Sequence, residues 1–202
     1  MSHLSVGITT VLTSLLFAVP AHPDTPLRLA VVDVPFEPFE YRLPDGTLTG
    51  FEVELGEEAC RRIERECEWV EQGWDGIIPG LLARKYDAIM SSMAITDARR
   101  EQVLFSEPYY SNPSVWVTLT GQEIDIEDHE ALEGLSVGVQ RGTIRDEYIT
   151  DTYGDLVDVR RYATDEDLAV DARAGHIDDI THSRCRHSKS MLKAAESLPA
   201  RR

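Results

Sequence analysis

Short apolar segments of strand character alternate with amphipathic helical segments through most of this chain. Residues 27–33 (LRLAVVD) are typical of a buried strand, and residues 51–66 have the apolar spacing of a helix with an acidic start. Further strands are predicted at 67–71, 86–90, 114–120, 135–139, 157–162 and 176–180, further helices at 75–84, 97–102, 143–152 and 165–174, and a proline-rich loop at 35–46. This alternation predicts an α/β fold with largely parallel sheets.

The acidic composition limits the possible partners. The 202 residues carry 36 Asp and Glu against 20 Lys and Arg, a formal net charge of −16. A surface of that sign repels phosphate backbones, so nucleic-acid binding is not expected. The GxxxxGK, HExxH and GxGxxG patterns of common nucleotide and zinc sites do not occur in the sequence. We therefore expect neither a cofactor nor a metal ion.

Residues 1–21 are predicted to be a secretory signal peptide. Residues 4–21 carry no charge and end on the small-residue pattern Val19-Pro20-Ala21. The apolar run is short for a membrane span and is interrupted by Pro20, although a buried or membrane-anchoring helix is the alternative. We expect export to the periplasm and no stable membrane insertion of the mature chain.

The charge character of the chain reverses at about position 182. Residues 182–202 contain six Lys or Arg and one acidic residue, whereas the preceding part of the chain is acidic. One explanation is a basic tail on an acidic protein. The other is a segment outside the native reading frame, produced by truncation or a frameshift. Charge alone leaves both explanations open.

The first two of the three cysteines are spaced for a local disulfide. Cys60 and Cys67 lie seven residues apart, where the first predicted helix gives way to a strand. This spacing fits no CxxC metal or redox motif, and oxidation is plausible in an exported chain. Two reduced thiols are the alternative. Cys185 is left over and lies in the basic segment.

Three segments together resemble a known family. They are residues 50–55 (GFEVEL), 86–100 (YDAIMSSMAITDARR) and 103–110 (VLFSEPYY). In order and spacing they closely resemble the periplasmic amino-acid-binding proteins of ABC importers, solute-binding protein family 3. The cysteine pair and Ser91-Ser92 resemble the lysine/arginine/ornithine and histidine binders within that family. The resemblance covers about residues 27–181.

The resemblance implies a type II periplasmic-binding-protein fold, in which two α/β lobes joined by a hinge close over one free amino acid. It implies that residues 22–110 belong to lobe one, 111–114 to the hinge crossing and 115–181 to an incomplete lobe two, followed by a non-family basic tail at 182–202. Lobe closure is expected to be incomplete because the family's C-terminal part is missing. The implied partners are a free amino acid and the permease subunits of an ABC transporter.

Four residues are candidates for polar contacts with the ligand. Arg99 matches the carboxylate-binding arginine, and its planar fork suits a bidentate contact. Ser91 and Ser92 end a predicted strand, where hydroxyl and backbone groups can face a ligand, with strand-end capping as the alternative. Thr143 opens a predicted helix and matches a carboxylate contact from lobe two. A carboxylate held between Arg99 and Thr143 would couple binding to closure.

Three more residues match positions around the ligand side chain. Phe36 and Trp74 match aromatic residues that sandwich it, where a cationic ligand would gain about 0.5–2 kcal/mol. Core packing is the alternative role for both rings. Asp33 matches an acidic position that can pair with a ligand ammonium or guanidinium. Glutamine binders also carry an acid there, so Asp33 favours a basic ligand without proving it.

The family pattern stops at about Ile180. The family has an acidic residue that accepts the ligand's α-ammonium, and in this sequence that register falls at Ser183. This loss coincides with the charge reversal, so a truncated or frameshifted binding protein is expected. Missing elements would leave apolar sheet faces uncovered. Such a chain is expected to be unstable or to dimerise, and a non-functional fragment is one outcome.

The binding-protein hypothesis, with a polar and basic ligand such as arginine, lysine, ornithine or histidine, competes with two others. A ligand-binding sensor module uses the same domain, but a membrane span and a signalling domain should follow it. A cyclohexadienyl dehydratase-like enzyme also resembles these binders and needs an acid at the departing groups, for which Glu37 is the extra candidate. We favour a binding protein without catalysis.

Overall fold

The computed structural model describes residues 25–118 and 124–183. The predicted signal peptide, Cys185 and the tail from residue 184 onward lie outside these residues. Within them, strands and helices alternate as predicted and form two main sheets from successive parts of the chain. Across the described ranges, none of the helices is long and apolar enough to span a bilayer.

The first main sheet has β1 at its centre. The elements of this part are β1 (Leu27–Val32), β2 (Tyr41–Arg42), β3 (Leu48–Thr49), α1 (Phe51–Arg62), β4 (Cys67–Gln72), α2 (Ile77–Leu82), β5 (Ala88–Ile89) and α3 (Asp97–Arg100). β4 and β5 both pair with β1 in parallel. Leu29, Ala30 and Val31 of β1 are buried, as expected for a central parallel strand that is covered on both faces.

The predicted loop at 35–46 contains β2 and leads through a turn into β3, with which β2 forms a short antiparallel hairpin. Asp45 Oδ1 accepts the Thr47 N–H at 2.9 Å, and Gly46 adopts φ 87° in the turn. Gly50 follows at φ 126°, where a Cβ atom would collide with the carbonyl oxygen of Phe39. Glycine therefore allows α1 to begin directly against the loop.

The second main sheet is mixed. Its elements are β6 (Ser114–Thr118), α4 (His129–Leu132), β7 (Ser136–Gln140), α5 (Ile144–Tyr153), β8 (Asp158–Tyr162), α6 (Asp165–Ala174) and β9 (Asp179–Ser183). The strand order is β6-β9-β7-β8, with β7 parallel to β8 and β9 and with β6 antiparallel to β9. The largely parallel arrangement agrees with the prediction, and the antiparallel strand lies at an edge.

The strand predicted at 176–180 is observed three residues later, as β9. Helix α6 ends at Gly175, which adopts φ 73°, and the His176 N–H donates to the Asp171 carbonyl at 3.1 Å. This helix-terminating turn uses the residues that the sequence assigned to the strand. β9 includes His182 and Ser183, so the predicted tail boundary falls within a strand.

Each sheet has its own hydrophobic core. The core of the first contains Ala30, Ile77 and Tyr86, and the second packs one cluster around Leu132, Val137, Val139 and Ile149 and another around Leu168, Ala172, Ile177 and Ile180. Residues 101–113 connect α3 to β6. We call the part with β1–β5 and α1–α3 the first lobe and the part with β6–β9 and α4–α6 the second lobe.

Cys60 and Cys67 form a disulfide, which confirms that prediction. Their Cα atoms are 5.8 Å apart, and the bond ties the last part of α1 to the first residue of β4. Cys60 is 2% exposed, so the bond lies against the first lobe's interior.

Reduction of this disulfide is expected to lower the free energy of unfolding by about 2–2.5 kcal/mol, because it frees a short closed loop in the unfolded chain. Urea unfolding followed by circular dichroism, with and without dithiothreitol, measures the change. A variant with Cys60→Ala and Cys67→Ala should show the same loss and no response to reductant. An unfolding midpoint that stays unchanged in dithiothreitol would contradict the expectation.

Candidate functional site

A cavity of about 880 Å³ lies between the two lobes. Both lobes form its wall: the first contributes Phe36, Trp74 and Arg99, and the second contributes Thr143 and Arg145. Its volume is within the range of small-molecule sites in proteins. A molecule bound here would contact both lobes at once.

Arg99 brings a partly buried cation to the cavity wall. It lies on α3, where the Thr96 side chain caps the helix by accepting the Arg99 N–H at 3.3 Å. Its Nη1 donates to the Ala94 carbonyl at 2.8 Å, and its Nη2 donates to the Gly142 carbonyl at 3.1 Å. Burial lowers the pKa of Arg99, since the protein replaces part of its hydration. A bound anion would compensate for that lost hydration.

Contacts beside the cavity join the two lobes. Trp74 Nε1 donates to the Gly142 carbonyl at 3.2 Å, and Arg141 forms an ion pair with Asp75 at 3.2 Å. The Arg99 guanidinium lies 5.5 Å from the centroid of the Trp74 ring. The Trp74 ring, predicted to contact a ligand side chain, thus contacts Arg99. The lobes are in contact with each other on this side of the cavity.

Phe36 lines the cavity and belongs to an aromatic cluster. Its ring stacks on Phe39 with centroids 5.2 Å apart, and Phe39 stacks on Tyr110 at 4.9 Å. Stacking fixes the orientation of Phe36. Phe36 therefore offers a rigid apolar surface to the cavity.

Ser91 and Ser92 line the cavity, but their hydroxyls bind buried carboxylates of the first lobe. The Ser91 hydroxyl donates to Glu40 Oε1 and accepts the Val32 N–H at 3.2 Å. The N–H and the hydroxyl of Ser92 both donate to Glu52 Oε1 at 2.9 Å. These hydrogen bonds have a structural role, because buried carboxylates without donors would be costly. The contact of these hydroxyls with a ligand stays a prediction.

Glu52 does not line the cavity but supports two residues that do, Ser92 and Tyr109. It is fully buried in the first turn of α1 and also accepts a hydrogen bond from the Tyr109 hydroxyl, at 2.8 Å. Burial raises the pKa of Glu52, whereas the hydrogen bonds from Tyr109 and Ser92 lower it. The sequence places Glu52 at the acidic start of a predicted helix. The helix dipole favours an acidic residue there on an exposed surface as well, so this position did not indicate that Glu52 is buried. Glu52 thus links the serine loop to the segment that leads into the second lobe.

Tyr109→Phe is expected to lower the free energy of unfolding by about 1–3 kcal/mol, because it removes a donor from a buried carboxylate. Loss of the hydrogen bond also raises the pKa of Glu52 in the folded state further above its pKa in the unfolded state. The free energy of unfolding should therefore fall more steeply as pH rises above the unfolded-state pKa, because the unfolded chain releases this proton first. Urea unfolding at several pH values measures both effects. Tyr148→Phe, at a half-exposed ring, is the control, and equal losses in the two variants would contradict this role.

Thr143 lines the cavity but caps helix α5. Its Oγ1 accepts the Asp146 N–H at 3.2 Å and donates to the Gln140 carbonyl at 2.8 Å. A hydroxyl has a single proton, so none is left to donate to a carboxylate. The Thr143 hydroxyl is therefore not available to donate to a ligand in this arrangement, and the carboxylate contact from Thr143 stays a prediction.

Asp33 was predicted to pair with the ligand, but the structure places it outside the cavity wall. Val32 and Val34 line the cavity, whereas Asp33 is not among the described residues that do so. It is exposed and lies beside Gly73. The pairing of Asp33 with a ligand cation stays a prediction, and the position of Asp33 outside the cavity wall does not support it.

Buried carboxylates in the cavity wall come from other positions. Glu40 of the first lobe and Asp165, the first residue of α6 in the second lobe, are 1% and 4% exposed and line the cavity. The sequence reasoning missed both. Together with Arg99 and Arg145, they give the cavity groups of both signs. Such a wall is complementary to a zwitterion.

The sequence profile of the bacterial extracellular solute-binding proteins, family 3, matches residues 29–196. The chain belongs to this family. Membership confirms the resemblance found in the sequence and the two-lobe α/β fold expected from it. The match continues past residue 181, where the family pattern was expected to stop.

Similar solute-binding proteins of this family include binders of basic amino acids. The chain is 38% identical over 159 residues to the L-arginine-binding protein of Pseudomonas aeruginosa, covering 78% of this chain and 60% of that protein. It is 34% identical over 191 residues to the lysine/arginine/ornithine-binding periplasmic protein of Escherichia coli, covering 94% and 71%. It therefore spans about 60% of the length of the first of these relatives.

Solved structures of similar proteins share the fold. An ancestral arginine-binding protein bound to arginine superposes with a TM-score of 0.72 at 28% identity, covering 78% of this chain and 70% of that chain. The holo arginine-binding protein of T. maritima gives a TM-score of 0.71 at 31% identity, covering 83% and 71%. These relatives and the family are binding proteins rather than enzymes.

Proposed function

We propose that this protein is the extracytoplasmic solute-binding component of an amino-acid ABC transporter. It binds one free amino acid with a basic side chain in the cavity between its lobes and delivers it to the permease subunits. The observation that carries this proposal is the cavity itself, whose wall is shared by both lobes and contains Arg99.

The charges in the wall support an amino-acid ligand. Arg99 supplies a cation with reduced hydration for the α-carboxylate, and Phe36 supplies an apolar surface for the side chain. Glu40 and Asp165 are buried carboxylates that can attract cationic groups of the ligand. These residues replace Asp33 as the acidic groups of the proposed site.

The basic side chain of the ligand is supported by the two relatives described above, whose names specify arginine, lysine and ornithine. The proposed periplasmic location is supported by the name of one of these relatives and by the predicted signal peptide. Ser91, Ser92 and Thr143 contribute to the proposed site as wall residues. Any hydroxyl contact they make with a ligand would have to replace the hydrogen bonds described above.

Thermal melts of the purified chain with each of the common amino acids test this function. A ligand present at a hundred times its dissociation constant should add about 2.7 kcal/mol to the free energy of unfolding. We expect an upward shift with arginine, lysine, ornithine or histidine and none with aspartate or glutamate. A cooperative melt that no amino acid shifts would contradict the proposal.

A further inference from the structure

Arg145 lies where the second lobe approaches Arg99. The Gly142 carbonyl accepts a hydrogen bond from Arg99 Nη2 at 3.1 Å, which brings the start of α5 against the arginine of the first lobe. Arg145 is the second residue of that helix, is partly buried and lines the same cavity as Arg99. Two arginines from opposite lobes therefore line one cavity.

A ligand carboxylate held by both lobes needs a donor from the second lobe. The Thr143 hydroxyl is unsuitable because its proton is donated to the Gln140 carbonyl. Its neighbour Ile144 also lines the cavity but has no polar side-chain group. Arg145 is the next residue of the helix, and its guanidinium carries several donors and a full charge.

The electrostatics of the cavity also favour an anion beside Arg145. Burial lowers the pKa of Arg99 most, the negative charge of Glu147 opposes that effect, and the positive charge of Arg145 adds a smaller lowering, because the two cations repel each other. The N-terminal end of a helix also disfavours a cation in its first turn. An anion beside Arg145 and Arg99 would relieve the repulsion and be stabilised by the helix as well.

We propose that Arg145 is a ligand-binding residue that, with Arg99, holds the α-carboxylate of the bound amino acid between the two lobes. This assignment deepens the function proposed above and rests on it. The carboxylate then joins the lobes through two charge-assisted contacts, one from α3 and one from α5. Arg145 thus selects for amino acids over amines with the same side chain.

Titration calorimetry with matched ligand pairs tests this assignment. The pairs are L-arginine with agmatine, L-lysine with cadaverine, L-ornithine with putrescine and L-histidine with histamine, which differ by the carboxylate. Arg145→Gln is expected to weaken amino-acid binding by about 10- to 100-fold. Binding of the matched amine should change little, so the preference for the amino acid collapses. Arg145→Lys should retain part of that preference, because it keeps the charge without the planar fork.

The control is Arg173→Gln, an exposed arginine in the last turn of α6, which should bind like the unaltered chain. Amino-acid binding by Arg145→Gln within about twofold of the unaltered chain would overturn the assignment alone. Equal losses for amino acid and amine would also overturn it, since they indicate a structural role. If the unaltered chain binds no member of any pair, the proposed function fails and this assignment fails with it.

Discussion

Replacement of Arg99 by Met is expected to weaken L-arginine binding by at least about 100-fold, since a carboxylate left without its partner in a partly dry site is costly. Arg99→Lys should recover only part of the affinity, because an ammonium cannot reproduce a bidentate contact. Titration calorimetry gives the dissociation constants. Burial lowers the pKa of Arg99, so the unliganded fold gains little from this cation. The Arg99→Met variant should therefore still melt cooperatively.

The matched control for this variant is Arg62→Met. Arg62 is an exposed residue of α1 whose ion pair with Glu58 lies on the surface, so its replacement should leave L-arginine binding unchanged. If Arg99→Met binds L-arginine as tightly as Arg62→Met does, Arg99 is not the carboxylate-binding residue.

Asp179→Asn is expected to stabilise the fold at about pH 8 by as much as about 4 kcal/mol. Asp179 is 2% exposed, and its Oδ2 atom has no hydrogen-bond partner among the described residues. It pairs in register with Val137, which belongs to the core that includes Leu132 and Ile149, so its carboxyl group faces apolar surroundings. Burial raises the pKa of Asp179 from 3.8 to about 7.

The pH dependence of the unaltered chain follows from this shift. Between about pH 4 and pH 7 the folded chain retains the Asp179 proton, whereas the unfolded chain has released it. Rising pH therefore favours unfolding through this window, and the loss is complete above about pH 7. Urea unfolding of the unaltered chain should show a free energy of unfolding that declines as pH rises through this window. Asp179→Asn should remove the decline, whereas Asp151→Asn, at an exposed position of α5, should retain it. Parallel pH profiles for all three proteins would contradict this expectation.

The alternation of strands and helices predicted the fold well because it reflects local periodicity. Helix α6 was predicted at its observed bounds, since its acidic first turn and its glycine end are local signals. β9 was misplaced because residues that terminate the preceding helix have strand-like composition. The pairing of β6 with β9 is antiparallel and joins distant segments, and no local pattern in either strand reveals such a partner.

The candidate site could be predicted only in part. Arg99, Phe36 and Trp74, which the family resemblance singled out, lie at the cavity, and their contacts with a ligand stay predictions. The directions of the serine and threonine hydroxyls could not be predicted, since they depend on buried carboxylates brought from other segments. Arg145 had one visible signal, a cation in the first turn of a helix, where the dipole disfavours it.

The central claim, that one free amino acid binds between the lobes, is tested most directly by a crystal structure of the chain grown with L-arginine. We predict electron density for one L-arginine molecule in the cavity, with its carboxylate within hydrogen-bond distance of Arg99. Density at another place on the surface, or a cavity that contains only water while calorimetry shows saturation, would contradict the claim.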